Sequence, residues 1–175
     1  DKAKKKRMRQ NAKGINFSIL YGAGVAKLAA MLHKTKAEAM AFRQHYFNTF
    51  PDIQNFARSR VRNRIMAVGC VKNKMGRVYG VKPDRSYIAV NYVIQGTCAD
   101  IIKRQMIALE KAGFDLRMQI HDEVGTLCQS EDPRSLREHA QAVQEILEDV
   151  TDKITRVKLR TDSKAGKNWG EMEAL

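Results

Sequence analysis

Arg9, Lys13, Phe17 and Tyr21 recur every four residues, so on a helix they form one stripe of two cations followed by two aromatic rings. Two cations a turn apart match two phosphates of one extended anion, and rings one and two turns further on match the base or sugar that it carries. A nucleoside triphosphate has its parts in that order. The same stripe also fits a solvated basic turn whose aromatics pack on a neighbouring helix. The second constellation is acidic: Asp122 and Glu123 adjoin in Met118-Gln119-Ile120-His121-Asp122-Glu123-Val124. Adjacent carboxylates in a tight turn repel each other, a cost that a bound cation offsets, and Mg²⁺ prefers such oxygen ligands. An Asp in a turn is also common without any metal. A dinuclear His/Asp hydrolase centre is a sharper competitor, but it needs several further His ligands. His33, His45 and His139 fall in helical patterns without ligand spacing.

The elements that must carry these residues follow from hydrophobic periodicity. From about Arg7 to Tyr21 the pattern is helical, with Met8, Ala12, Ile15 and Ile19 as the expected buried stripe, roughly opposite the Arg9 to Tyr21 row. Gly22 and Gly24 break it. Val25–His33 reads as a second helix, Thr35 with Glu38 as a capping box for a third reaching Phe50, and Pro51 as the opening of a fourth ending near Gly69. Val71–Tyr79, with Gly76 in the middle, predicts a short hairpin, and Val81–Arg85 a loop. A long helix is expected from Tyr87 to Ala112, with Ile94, Cys98, Ile101, Ala108 and Leu109 on its apolar side. Phe114, Leu116, Met118 and Ile120 alternate with polar residues, which predicts a strand with one buried face, and Val124–Gln129 supplies its return. Asp132 and Pro133 open a helix to Ile154, and Val157, Leu159 and Thr161 suggest a last strand. The fold class is therefore α+β, a helical part followed by a small antiparallel sheet backed by helices.

The chain of 175 residues, 43% hydrophobic and 29% charged, is long enough to bury a substantial core. No apolar run approaches the ~20 residues of a membrane helix. The 32 Lys and Arg outweigh 19 Asp and Glu, for a net charge of +13. Such a field favours anionic partners, nucleic acid first among them, although a solubilising surplus gives the same balance. Cys70, Cys98 and Cys128 are odd in number and lack a Cys-x-x-Cys. Neither a disulfide framework nor a zinc knuckle is expected, and the location expected is intracellular and cytoplasmic.

The segment Arg9 to Gly22 resembles the fingers helix of family A DNA polymerases, which runs Arg, three residues, Lys, three residues, Phe or Tyr, three residues, Tyr-Gly. Two further segments match in the family's order. Asn91-Tyr92-Val93-Ile94-Gln95-Gly96-Thr97-Cys98-Ala99-Asp100 is similar to its Asn-x-x-x-Gln-Gly-Thr-x-Ala-Asp helix, and Gln119-Ile120-His121-Asp122-Glu123 to its palm hairpin. Gly76-Arg77 and the closing Gly166-Lys167-Asn168-Trp169 are softer matches. Ser18 stands where the family commonly has Gly, and Tyr87 where it commonly has Arg.

The resemblance implies a fingers subdomain over 1–86 and the C-terminal part of a palm over 87–175. By it, Arg9 and Lys13 bind the incoming triphosphate, and Lys13 also stabilises or protonates the departing pyrophosphate. Phe17 lies against the sugar, and Tyr21 with Gly22 guards the nascent base pair. Asn91, Gln95, His121 and Arg77 contact primer-template DNA. Asp122 is a metal ligand and Glu123 assists near the primer end. The implied reaction is attack of a primer 3′-hydroxyl on the α-phosphate of a deoxynucleoside triphosphate with two Mg²⁺ ions. The family's bridging Asp, in an Asp-x-Ser-x-x-Glu motif, does not occur in these residues. The chain therefore reads as a C-terminal portion with a native end, whose partner is an N-terminal polymerase fragment and which is expected to be inactive in isolation. Two other classes stay open on the residues alone. A non-catalytic basic nucleic-acid-binding module explains the charge, and a metal-dependent nuclease explains the acidic turn.

Overall fold

Asp1 caps the first helix of the chain, α1 (Lys2–Leu20), its carboxylate accepting from the backbone N–H of Ala3 at 3.1 Å and of Lys4 at 3.4 Å. The computed structural model describes every residue, 1–175. Its chain forms two units, residues 1–96 and 97–175, and is α+β throughout, with many helices and three two-stranded antiparallel sheets.

In the first unit, Gly22 at φ +79° turns the chain from α1 into α2 (Val25–Leu32), which ends on His33 in the left-handed region. The capping box of α3 (Lys36–Thr49) forms as expected. The Glu38 N–H donates to the Thr35 hydroxyl at 3.3 Å, and the Thr35 N–H to the Glu38 carboxylate at 2.9 Å. Ile19, Leu28, Ala29 and Ala39 form one core, joined by Ile15, Val25 and Leu32. The expected apolar stripe of α1 is thus only half right. Ile15 and Ile19 pack, but Met8 is 62% exposed and Ala12 is exposed, because neighbours of α1 begin only at Gly14, near Met31. Periodicity marks a face that can be buried; it does not supply the partner that buries it.

Pro51 opens α4 (Pro51–Asn55), which runs through a π-helical stretch (Phe56–Arg62) into α5 (Asn63–Val68) and stops at Gly69, φ +66°. The sequence predicts one ordinary helix there. The wider turn places Phe56 and Val61, five residues apart, against the same core of Val61, Ile65, Val71, Val81, Ala89 and Val90. Strands β1 (Cys70–Lys72) and β2 (Val78–Gly80) pair with Val71 opposite Tyr79. Their turn is held by Asn73, whose Oδ1 accepts from the N–H groups of Met75 at 3.0 Å and Arg77 at 2.9 Å, with Gly76 at φ +86°. The expected loop at Val81–Arg85 is partly a 3₁₀ turn, Pro83–Ile88, so α6 (Ala89–Lys111) starts two residues later than predicted.

In the second unit, Gly113 at φ +85° ends α6. Ile101 and Leu109 are buried as expected, whereas Cys98, assigned to the same face, is exposed. Buried Gln105 donates through Nε2 to the Leu147 carbonyl at 2.8 Å and to the Thr151 hydroxyl at 3.0 Å, tying α6 to α7 (Pro133–Asp152). Asp132 caps α7, accepting from the Ser135 N–H at 2.8 Å.

Strands β3 (Asp115–Ile120) and β4 (Glu123–Leu127) pair antiparallel. The expected buried face of β3 holds only in its first half: Phe114 and Leu116 are half-buried, but the register shifts between Leu116 and Met118, leaving Arg117 as a bulge, and Met118 and Ile120 are 42% and 43% exposed. A two-stranded ribbon offers those side chains no facing layer. The expected last strand at Val157–Thr161 is absent as well. The backbone of Thr161 is instead bound by side chains of α7: its N–H donates to Glu148 at 2.9 Å, and Gln144 Nε2 donates to its carbonyl at 2.8 Å. Arg160 pairs with Glu148. Beyond it, β5 (Lys164–Ala165) pairs with β6 (Glu173–Ala174).

Candidate functional site

The first unit carries the stripe read from the sequence. Arg9 and Lys13 are exposed on α1, Phe17 is 49% exposed, and the Phe17 and Tyr21 rings lie parallel, with centroids 5.9 Å apart and 3° between planes. The four side chains therefore run as cation, cation, ring, ring along one face. Ser18, half-buried beside them, donates its hydroxyl to the Met31 sulfur at 3.0 Å and so ties α1 to α2.

The C-terminal end of α1 is fixed by close packing. A Cβ on Gly22 would lie 3.2 Å from Tyr87 Cβ, with φ already in the left-handed region, so glycine suits this position on both counts. Beside it opens a cavity of about 680 Å³ whose lining includes Leu20, Gly22, Phe47, Tyr87, Arg43 and Arg58. These arginines were not singled out in the sequence. The signal for one of them was present in the alternation Arg58, Arg60, Arg62, Arg64 within a single helix.

Asn91 and Gln95 stand one turn apart on α6. Gln95 is exposed, while Asn91 is half-buried, and its buried Oδ1 has no hydrogen-bond partner. Next to them, Gly96 admits the Tyr79 ring: a Cβ there would sit 2.1 Å from the Tyr79 hydroxyl. Tyr79 also stacks on Tyr92 at 5.5 Å. A side chain at position 96 would therefore require the Tyr79 ring to move. Arg77 precedes β2 and is exposed, its N–H bound to Asn73.

The second unit carries the acidic hairpin. His121 and Asp122 form its two-residue turn, with Ile120 opposite Glu123. His121 lies at φ +52°, a region that favours glycine, and its carbonyl accepts from Gln119 Nε2 at 2.6 Å. Asp122 and Glu123 are both exposed. They present hard oxygen donors on adjacent residues, which suits Mg²⁺. Nowhere do three or more His, Cys, Asp or Glu side chains converge, at this turn or elsewhere.

Three carboxylates whose protonation the structure perturbs lie away from these groups. Glu38 is lowered to about 2, first by the Lys34 side chain and then by the Thr35 N–H. The Ser135 N–H lowers Asp132, and the Thr161 N–H lowers Glu148. All three are structural: two helix caps and one tether.

A family model described as DNA polymerase family A matches residues 1–171. DNA polymerase I of Rhizobium leguminosarum is 32% identical, over 94% of this chain and 18% of its own length. The DNA polymerase of Mycobacterium phage D29 is 29% identical, over 94% of this chain and 26% of its own. Among solved structures, the POL domain of Pol1 from M. smegmatis, in complex with DNA primer-template and dNTP, superposes with a TM-score of 0.71 and 26% identity, over 82% of this chain and 28% of that one. The chain spans about a fifth to a quarter of the length of these curated relatives.

Proposed function

The chain belongs to DNA polymerase family A, and from that membership we propose that it is the fingers (1–86) and the C-terminal palm part (87–175) of a template-directed DNA polymerase. The observation that carries this reading is the exposed row on α1, in which two cations lead into two parallel rings. Its substrates are a deoxynucleoside triphosphate and primer-template DNA, the two ligands with which the M. smegmatis neighbour forms its complex.

In this mechanism Arg9 and Lys13 hold the triphosphate, and Lys13 hydrogen-bonds or protonates the leaving pyrophosphate oxygen as the primer 3′-hydroxyl attacks the α-phosphate. Phe17 lies against the sugar, and Tyr21 with Gly22 borders the nascent pair. The Asn91 amide and Gln95 face duplex DNA, where minor-groove acceptors common to every base pair allow contact without sequence preference. Arg77 neutralises phosphate, His121 meets the primer terminus and Glu123 assists beside it. Asp122 would hold Mg²⁺, which when bound supplies Lewis-acid stabilisation of the phosphoryl oxygens. The remaining ligands must come from another polypeptide segment, so the isolated chain binds DNA but does not extend a primer.

The test is a primer-extension assay run in parallel with DNA binding over a salt series. The expected result is binding that weakens linearly in log–log form with salt, no extension by the 175 residues alone, and extension once a polypeptide with an Asp-x-Ser-x-x-Glu palm segment is added. Robust extension by the chain alone would falsify the divided-site reading, and Asp122→Asn must abolish the restored activity.

A further inference from the structure

The cationic row on α1 does not stop at Arg9. Lys6 and Lys2 continue it toward the N-terminus, at helical spacings that place Lys2, Lys6, Arg9 and Lys13 within one narrow face. All four are exposed. Between Lys2 and Leu20 the helix holds seven cations and no acidic residue. Other cations of the chain pair with acids four residues away, as in Lys34–Glu38 at 2.9 Å, Arg134–Glu138 at 2.9 Å and Lys153–Asp149 at 2.5 Å. None of the α1 cations is so balanced, and like charges a turn apart destabilise a helix unless an anion lies along them. The free N–H groups at the helix start do not supply that anion site, because the Asp1 carboxylate already occupies those of Ala3 and Lys4.

The order of groups gives the row a direction. Rings sit at the C-terminal end, Lys13 and Arg9 follow, and a triphosphate laid along them has its base toward Tyr21 and its γ-phosphate toward Arg9. Lys6 and Lys2 lie beyond that γ-phosphate, about 4.5 and 10.5 Å past Arg9 along the axis at about 1.5 Å per residue. We propose that Lys2 and Lys6 form an oligophosphate subsite that extends the nucleotide site past the γ-position. It takes the distal phosphates of nucleotides longer than triphosphates and the departing pyrophosphate. The inference rests on the assignment of Arg9 and Lys13 to the triphosphate.

The test is an equilibrium titration of the 175-residue chain with Mg²⁺-loaded 2′-deoxyadenosine 5′-triphosphate and 5′-tetraphosphate at low salt. The tetraphosphate is expected to bind about fivefold more tightly than the triphosphate, in keeping with a few exposed ion contacts. In Lys2→Gln/Lys6→Gln the ratio falls to about 1, and in Lys4→Gln/Arg7→Gln, which removes the same charge from the other side of the helix, it stays at about fivefold. Equal loss in both variants, or in neither, overturns the subsite. So does a Lys2→Gln/Lys6→Gln variant that weakens binding of primer-template DNA but keeps the ratio, because the row would then be a DNA contact. If Arg9→Ala and Lys13→Ala leave triphosphate affinity unchanged, or no nucleotide binds, the assignment beneath the subsite has failed, and the subsite fails with it.

Discussion

His121 holds its backbone at φ +52° in the two-residue turn that presents Asp122, so the backbone and the side chain at this position have separable roles. His121→Gly removes the side chain at a conformation glycine accepts, and its lower backbone cost is offset by the entropy glycine loses on folding. Unfolding stability should stay within about 0.5 kcal/mol of the parent in a denaturant titration. A β-branched His121→Val should lose about 1–2 kcal/mol in the same measurement. If His121 meets the primer terminus as proposed, both variants weaken primer-template binding, although only one weakens the fold. Ser18 is a second residue whose identity shows its use only in three dimensions: it replaces a commonly smaller residue, and the space it takes is filled by the bond to Met31.

Between elements, the approach of β2 to α6 is set by Tyr79 over Gly96, with no room for a methyl group. Gly96→Ala should therefore destabilise the chain by about 1–3 kcal/mol, and adding Tyr79→Phe should recover part of it, measured as a double-mutant cycle of denaturant midpoints. The cap of α3 gives a pH-dependent counterpart. The Glu38 carboxyl falls from 4.5 to about 2 on folding, so the folded chain binds fewer protons than the unfolded chain between those values. Its contribution is fully present above pH 4.5 and is lost as the pH falls toward 2. The melting temperature of the parent should exceed that of Glu38→Gln at neutral pH, and the two curves should converge across that acid window. The caps of α3 and α7 were legible in the sequence because each is a contact between residues three apart. The π-helical stretch Phe56–Arg62 was not, because its residues suit an ordinary helix and only the shared core selects the wider turn.

Across the whole molecule, +13 net charge predicts that association with DNA is mainly a release of counterions. Raising salt from about 50 to 200 mM should weaken it by about a hundredfold or more if several phosphates are neutralised, as a filter-binding series can measure. Replacing Arg77 by Ala should lower the salt slope by about 1, without sequence preference. The sequence by itself determined the α+β class, the ends of most helices and, through the Arg9 to Gly22 and Gln119 to Glu123 runs, the family resemblance, because caps, helical stripes and motif spacings are short-range properties. It also marked Met8, Met118, Ile120 and the Val157–Thr161 segment as buried face or strand, and there the tertiary structure decided otherwise. Whether an apolar face is covered, or an extended segment finds an edge to pair with, depends on a partner far away in the chain, which local periodicity cannot report. The same dependence governs the acidic hairpin, whose residues are legible one by one, while the fold brings no third His, Cys, Asp or Glu to them.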